Sequence, residues 1–446
     1  MRKYLALLAL AGCSLAPTYE RPAAPVANQF AATGGSLAAA DQGWRTMFGD
    51  VRLQTLIGLA LANNRDLRIA ALQVELTRAQ YRIERADLFP QVGAAAGADL
   101  TSIDGQSRYR VGLSASWELD LFGRVRSLKD AALEAYLATV EAHLAMHLSL
   151  VGEVVAQYLR ERAYAEEQAL AERTQETVRA TYDVMKRMFE AGQRSELDMR
   201  TAEAQFQAAR ADVARLTRLH AQAENALVLL VGQPLPADLP AAQPLDSQSI
   251  VADLTPGIPS KVLLRRPDVL AAEHALRGAN ANIGAARAAF FPTISLTGFA
   301  GLASTALSNL LGGGLAWTFS PELSVPLFTG GRNSANLDVA KVRKRIEVAR
   351  YEQAIQIAFR EVADALAARA SFDEQLAAQI ARAEAEQQRY ELSEQRYRAG
   401  IESYLSVLEA QRDLYLAQTQ LIEVRLARLT NLADLYRALG GGWRER

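Results

Sequence analysis

The feature of this sequence that most restricts its fold is an internal duplication. A turn between two helical stretches occurs twice, at a constant offset of 208 residues, as from Ala191 to Ala399. The chain should therefore fold as two versions of one unit, although its 446 residues would otherwise suggest two or three unrelated domains. The matched turn residues are Ala191, Gly192, Ser195 and Leu197 in the first copy and Ala399, Gly400, Ser403 and Leu405 in the second.

A helical approach segment opens each copy. Apolar residues recur every three or four positions from Trp44 to Leu88, which predicts one continuous helical segment within 46–90. The counterpart, 260–291, ends at Phe291-Pro292 as the first ends at Phe89-Pro90. Proline stops each helix and permits an extended chain beyond it.

Four segments alternate between apolar and polar residues. From Tyr109 to Asp120 the alternation is strict, and a strand that is apolar on one side only is expected. The segments pair as one hairpin in each copy, 91–123 and 292–331. Gly105 and Gly312 to Gly314 are expected in the turns. The other three segments are 92–100, 294–302 and 315–327.

The length and the apolar face of these segments are typical of membrane strands, although the edge of a soluble sandwich has the same pattern. Four strands cannot close a membrane barrel, because the smallest barrels have about 8. Several chains must then share one barrel. Three chains would give about 12 strands and an aqueous lumen.

The longest helices are expected after the hairpins. Arg124 to Glu190 and Arg332 to Arg398 contain no proline, and each would form a helix roughly 100 Å long at about 1.5 Å per residue. Each pairs with a return helix, giving helix pairs 124–232 and 332–439 with tips at 191–192 and 399–400. Apolar residues seven apart predict two packing seams on the second return helix. The segment 233–259 is expected to be an exposed linker, and 440–446 a tail.

The N-terminus has the pattern of a bacterial lipoprotein signal. Leu10-Ala11-Gly12-Cys13 follows an apolar run, so we expect a signal peptide at 1–12 and a lipid on Cys13. The alternative is a buried or incidental thiol. Prolines in the segment 13–45 predict a stiff, extended tether. No later run of 18 apolar residues occurs, so no transmembrane helix is expected.

Several functional classes have little support. The net charge of -1, from 49 basic and 50 acidic residues, gives no field that would attract nucleic acid. No Walker A, nucleophile elbow or paired Cys motif occurs, so we expect no catalytic residue and no enzyme. His143 and His147 have a metal-compatible spacing but are read as ordinary polar residues, so neither a metal nor a cofactor beyond the Cys13 lipid is expected.

Five motifs carry a resemblance across nearly the whole chain: FGDVRLQTLIGLALANNRDL, WELDLFGRVR, RRPDVLAAE, PLFTGGR and YRAGIESYLSVLEAQRDLYLAQ. They are similar to the outer-membrane factors, the TolC-like exit ducts, in their lipoprotein branch. The resemblance implies a mainly α protein with a small membrane β-barrel. It is expected to be a homotrimer whose 12-stranded barrel is continuous with a long α-helical periplasmic tunnel.

The resemblance also implies a role and partners. The protein would be a passive exit duct anchored in outer-membrane lipid and extending into the periplasm. A periplasmic adaptor, or membrane fusion protein, and an inner-membrane pump of the resistance-nodulation-division (RND) type would complete the efflux system. The exit duct of a one-step (type I) protein secretion system and a lipid-anchored periplasmic coiled-coil scaffold are the alternatives.

Functional positions follow from the same resemblance. A ring of Leu405, Glu409 and Arg412 is expected to gate the periplasmic end, assisted by Asp198 and Tyr397. Glu402 stands where the best-known member has Arg, so the closed state must be held differently. The expected adaptor-docking positions at the tips are Ala191, Gly192, Ser195, Leu197, Ala399, Gly400, Ser403 and Tyr404.

Overall fold

The computed structural model describes residues 14–27, 30, 37–38, 43–100, 107–252, 254–255 and 264–441. Cys13 and Gly105 lie outside these residues, as do the expected signal peptide and most of the C-terminal tail. The helices are α1 Trp44–Met47, α2 Val51–Asn63, α3 Arg65–Ala86, α4 Arg124–Glu190, α5 Glu196–Val231, α6 Pro267–Ala288, α7 Arg332–Arg398 and α8 Tyr404–Ala438. The strands are β1 Leu37–Ala38, β2 Gln91–Asp99, β3 Arg108–Leu119, β4 Leu254–Thr255, β5 Thr293–Ser304 and β6 Gly314–Ser324.

The chain divides into two compact units. Unit 1 holds the described residues up to Pro25 together with Ala70–His143 and Pro267–Ile355. Unit 2 holds those within Val26–Ile69, Leu144–Arg266 and Gln356–Arg446. Each unit therefore contains parts of both sequence copies, so the duplication does not produce one compact unit per copy.

Unit 1 contains a four-stranded antiparallel sheet in the order β2-β3-β5-β6. Each sequence copy contributes one hairpin, as predicted. The register places Trp117 opposite Leu296, and Leu113 opposite Ala300, which in turn faces Trp317. Residues directly opposite each other share a face, so the alternating apolar residues of all four strands lie on one side of the sheet.

The second hairpin differs from the prediction in its bounds. Gly314 is the first residue of β6 and pairs with Ala303, so it is not a turn residue. The strand ends at Ser324 and not at Leu327.

The two longest helices have the predicted bounds, and α4 and α7 each have 67 residues. The approach helix of the first copy is broken, contrary to the single segment expected. Asn64 adopts an extended conformation between α2 and α3, and its Oδ1 accepts a hydrogen bond of 2.9 Å from the Leu67 N–H. Its Nδ2 donates to the Leu230 carbonyl at 2.9 Å. Asparagine is a favoured N-cap, so one polar residue divides the periodic pattern in two.

The core of unit 2 includes Trp44, Phe48 and Tyr158, each at most 1% exposed. The described part of the inter-copy linker is mostly exposed or half-buried, but it packs on this unit at particular residues. Leu245 is 2% exposed, and its N–H donates to Glu166 at 2.7 Å. Apolar residues among the prolines allow this packing. Among the described residues, every helix is too short or too polar to cross a lipid bilayer.

Candidate functional site

The two helix reversals of unit 2 have the same backbone geometry. Gly192 ends the α4 turn and Gly400 ends the α7 turn, each with a φ of 73°. The Gln193 N–H donates to the Met188 carbonyl at 2.8 Å, and the equivalent bond joins Ile401 to Arg396 at 2.9 Å. This is the Schellman pattern, which satisfies helix-end carbonyls through a left-handed residue, and glycine adopts that conformation without steric cost.

The surroundings of both glycines are open. A Cβ added to Gly192 or Gly400 would meet no heavy atom within 4 Å. Ala191 and Ala399 precede them, so each reversal presents small side chains and accessible backbone. Leu197 is 76% exposed at the start of α5. These positions form a surface that another helix could approach closely.

The return helices begin at equivalent serines that cap them differently. Ser195 Oγ accepts from the Asp198 N–H at 3.2 Å and donates to Asp198 Oδ2 at 2.9 Å. Ser403 is the N-cap of α8 without a side-chain bond to the helix backbone, and its Oγ lies 3.4 Å from Ser406 Oγ. Asp198 therefore stabilises the start of its own helix.

A small apolar core supports the two reversals. Met185, Ala202, Tyr404 and Leu408 are buried together. The partly buried rings packed against this cluster are those of Tyr182, Tyr390 and Tyr397. Tyr404 is only 8% exposed, and burial raises the pKa of its hydroxyl. Its side chain lies in this core, so it is not on the surface where a docking residue was expected.

The reversals of the two copies contact each other through Arg194. Its Nη2 donates to the Tyr397 hydroxyl at 3.4 Å, and its guanidinium lies 5.9 Å from the centre of that ring. Within the second copy, Arg396 Nε donates to Glu402 Oε1 at 2.7 Å. Glu402 thus forms an ion pair beside the turn of its own sequence copy.

The expected gate residues lie on one exposed face of α8. Leu405 is 57% exposed, and Glu409 and Arg412 are exposed one and two helical turns further on. The opposite face, with Val407 and Leu408, is buried. The spacing i, i+4, i+7 places the three side chains in one row, as the sequence predicts.

Arg412 belongs to a charged group on α7 and α8. Its Nε and Nη2 donate to Asp413 Oδ1 at 3.1 and 3.0 Å, and Arg389 Nη1 donates to Asp413 Oδ2 at 3.0 Å. The hydrogen bonds from Arg412 and then Arg389 lower the pKa of Asp413. Arg412 is thereby held on its helix surface, one turn beyond Glu409.

Sequence reasoning missed Arg194, the Arg396–Glu402 pair and the tyrosine cluster. Tyr390, Tyr397 and Tyr404 are seven residues apart, which is visible in the sequence. Their packing into one core with α4 of the first sequence copy is visible only in the structure. Within the described residues, no group of three or more His, Cys, Asp or Glu side chains is arranged to hold a metal ion.

The chain is similar to proteins of one family along almost its whole length. The family model described as "Outer membrane efflux protein" matches residues 56–233 and 258–441. The "Probable efflux pump outer membrane protein TtgC" of Pseudomonas putida is 46% identical over 460 residues, covering 98% of this chain and 94% of that protein. The "Cation efflux system protein CusC" of Escherichia coli is 44% identical over 451 residues, covering 98% and 97%.

The fold of the chain is similar to that of solved membrane-protein structures over almost its whole length. The open state of the MtrE outer membrane channel of Neisseria gonorrhoeae has a TM-score of 0.89 and 45% identity, covering 97% of this chain and 99% of that one. A crystal structure of a membrane protein from Pseudomonas aeruginosa has a TM-score of 0.90 and 43% identity, covering 96% and 100%.

Proposed function

This chain belongs to the outer membrane efflux protein family, and we propose that it is the exit duct of a tripartite efflux pump of the RND type. It is a channel protein of the outer membrane and not an enzyme. In this proposal small molecules pass through it from the periplasm to the exterior. A periplasmic adaptor protein and an inner-membrane pump supply the cargo and the energy.

The observation that carries the duct proposal is the sheet of unit 1. One face is apolar and largely exposed in the single chain, with Leu113 at 60% and Trp317 at 74%. In the order β2-β3-β5-β6, strands β2 and β6 each have a partner on one side only. Unpaired strand edges are costly in lipid, so neighbouring chains of the same protein must supply the missing partners.

The same arrangement supports a homotrimer. Pairing β6 of one chain with β2 of the next is a head-to-tail contact, and such contacts form a ring when the rotation from chain to chain closes. Three chains supply about 12 strands. A barrel of about 8 strands is filled by its own side chains, whereas a barrel of about 12 strands has room for a lumen. The long helix pairs would then continue as a tunnel into the periplasm.

The helices of unit 1 offer a second contact between neighbouring chains. On α3, Leu72, Leu76 and Ile83 are each more than half exposed along one face. Between α4, α6 and α7 lies a groove of about 870 Å³, and nearly half of its lining residues are alanine. The lining also includes Val339 and Ile346. We propose that α3 of a neighbouring chain packs in this groove, because small side chains allow two helices to approach closely.

The helix reversals are assigned to adaptor docking. Gly192 and Gly400 present open backbone at equivalent places, with Ala191, Ser195, Leu197, Ala399 and Ser403 around them. A partner's helical hairpin can approach such surfaces closely. The predicted lipid on Cys13 completes the proposal as an outer-membrane anchor, and the mass of the purified N-terminal peptide would test that modification.

A substitution at one reversal tests the function. Gly400→Trp should abolish resistance to exported compounds in a strain that depends on this duct, because the ring blocks close approach of an adaptor. Gly400→Asn is the matched control, since asparagine also adopts positive φ but is small. The control should retain most of the resistance.

Assembly must be measured in the same strains. Both variants should give a detergent-solubilised particle near three times the 48.5 kDa chain mass by light scattering. Full resistance in Gly400→Trp would show that docking occurs elsewhere. A folded monomer in the unmodified protein would contradict the shared barrel.

A further inference from the structure

The first described residues of unit 1, in the segment predicted to be a stiff, extended tether, lie along one face of α6. We call residues 14–21 the strap. Arg21 donates two hydrogen bonds to Glu273, from Nε to Oε1 at 3.0 Å and from Nη2 to Oε2 at 2.8 Å. Tyr19 donates its hydroxyl to Glu273 Oε1 at 3.1 Å. Glu273 is only 2% exposed, so its charge is stabilised by these partners.

The helix itself strengthens this contact. Arg277 Nη2 donates to Glu273 Oε1 at 2.7 Å, and its guanidinium lies 5.0 Å from the centre of the Tyr19 ring. Burial alone would raise the pKa of Glu273, but the hydrogen bonds from Arg21 and Arg277 keep it below its usual value. The carboxylate is therefore ionised, and it holds the strap by accepting hydrogen bonds from the Tyr19 hydroxyl and from Nε and Nη2 of Arg21.

The rest of the strap is held through its backbone. Asn280 Nδ2 donates to the Pro17 carbonyl at 2.7 Å, and Arg287 Nη1 donates to the Leu15 carbonyl at 2.9 Å. A Cβ added to Gly284 would come within 2.5 Å of Ser127 Oγ on α4 and within 2.8 Å of the Ala16 nitrogen. The strap thus lies against the helix at a position where only glycine leaves room.

These contacts have a regular geometry. The helix positions 273, 277, 280, 284 and 287 recur every three or four residues, so they form one face of α6. Leu15 to Arg21 spans about 20 Å when extended, and Glu273 to Arg287 spans roughly 21 Å of helix. The strap runs antiparallel to α6 with matched lengths, which fixes its register.

We propose that this face of α6 is a docking site for the strap and that docking holds the first residues of the strap beside the sheet. Arg287 holds Leu15 at the end of α6, shortly before β5 begins at Thr293. The strap is thereby held near the entry to the sheet, and its first residue directly follows the predicted lipidation position in sequence.

Proteolysis at Glu20 tests the docking without requiring any transport activity. Glu20 is exposed, but a glutamate-specific protease needs several flanking residues in its own cleft, so the docked strap should be protected. The full-length protein in detergent is digested, and the fragment that begins at Arg21 is quantified by mass spectrometry. Glu273→Gln removes the charge that holds the strap and should accelerate this cleavage roughly tenfold or more.

A pair of glycine variants on α6 provides a second test with a matched control. The methyl group of Gly284→Ala would clash with Ser127 Oγ and with the Ala16 backbone. The Ser127 hydroxyl can rotate away but the Ala16 nitrogen cannot, so this variant should displace the strap and accelerate cleavage at Glu20. Gly278→Ala should not, because its added Cβ meets Ala131 and Glu134 at ordinary distances of 3.4 and 3.5 Å. Both changes raise helix propensity equally, and the strap sequence is unaltered in all variants.

The outcomes decide between docking and its absence. Protection in the unmodified protein, with faster cleavage in Glu273→Gln and Gly284→Ala but not in Gly278→Ala, supports the docking site. Rapid cleavage of the unmodified protein, or equal rates in all four proteins, would overturn it. Light scattering on the same samples shows whether assembly has failed independently of the strap.

Discussion

Glu167 on α4 is a buried acidic side chain whose surroundings oppose its charge. It is 8% exposed. Burial first, and then the nearby Glu423 of α8, raise the pKa of Glu167 to about 7, while Arg215 of α5 lowers it. Tyr415 of α8 lies close enough to be influenced by the same carboxylate. Glu167 is therefore partly protonated near neutral pH.

The stability of the protein should depend on pH through this residue. In the unfolded chain Glu167 releases its proton near its ordinary pKa of 4.5, whereas in the folded chain it does so near 7. The free energy of unfolding should therefore fall as pH rises between these values, by at most roughly 3 kcal/mol. Glu167→Gln should raise the melting temperature at pH 8 by several degrees but not at pH 4.5, measured by circular dichroism.

A control variant separates this effect from general charge removal. Glu176 lies on the same helix and is exposed, so Glu176→Gln should leave the pH dependence unchanged. An equal stabilisation of Glu167→Gln at both pH values would show that its pKa is not raised in the folded protein.

Residues repeated in the sequence were the easiest to predict. Gly192 and Gly400 were identified from the repeat, because a helix reversal needs a left-handed residue at a fixed place. Glu273 was not, although it lies in a recognised motif. Its partners Tyr19 and Arg21 are more than 250 positions away in sequence, and no local pattern distinguishes a buried carboxylate from a solvated one on a helix.

Capping by buried polar residues determines where the shorter helices begin and end. Asp50 is 1% exposed and caps α2, with Oδ1 accepting from the Arg52 N–H at 2.8 Å. Its Oδ2 accepts from the Tyr158 hydroxyl at 2.6 Å and from Gln248 Nε2 at 3.0 Å. One carboxylate thus joins α2, α4 and the inter-copy linker within unit 2.

Removing this carboxylate should be costly. Asp50→Ala loses the cap and leaves the Tyr158 hydroxyl without its acceptor, so the free energy of unfolding should fall by about 3 to 5 kcal/mol. Tyr158→Phe keeps the cap and removes one hydrogen bond, and should cost about 1 to 2 kcal/mol. Urea unfolding in detergent measures both. A loss below 1 kcal/mol in Asp50→Ala would contradict the central role of this group.

Elements with long, uninterrupted patterns were predicted well. The bounds of α4 and α7 follow from the absence of proline between two glycine-containing turns, and strand alternation gave the apolar sheet face. The break at Asn64 was missed because apolar periodicity continues across it. The partial packing of the linker was missed because its composition resembles that of exposed loops, and contacts such as those with Asp50 and Glu166 are visible only in the structure.

At the scale of the whole molecule, the duplication gives two similar helix reversals with different chemistry. Adding the offset of 208 to Leu197 and Thr201 gives Leu405 and Glu409. Both copies therefore place an exposed leucine on the return helix, but only the second adds a carboxylate one turn later. In a trimer, the second sequence copy of each chain would contribute one Glu409 to a ring of three carboxylates. This ring is the proposed gate.

We expect this ring to limit conduction through the isolated duct. Leu405 forms the apolar constriction, and Glu409 gives it a preference for cations because three carboxylates surround the axis. Glu409 also has Arg412 one turn away on the same face, and Arg412 of a neighbouring chain could reduce repulsion among the carboxylates. Leu405→Ala with Glu409→Ala should raise single-channel conductance in planar bilayers severalfold and lower the cation preference.

The first copy supplies the matched control for this prediction. Leu197→Ala with Thr201→Ala removes the equivalent side chains from α5 without removing a charge, so conductance and selectivity should stay near those of the unmodified duct. A large increase in the control would mean that both copies form the constriction. If the Leu405 and Glu409 variant conducts like the unmodified protein, the constriction lies elsewhere, and the Arg194 contact with Tyr397 would be the next to remove. That contact is a polar link between the reversals of the two sequence copies, so its loss should weaken their association and raise conductance even with the ring intact.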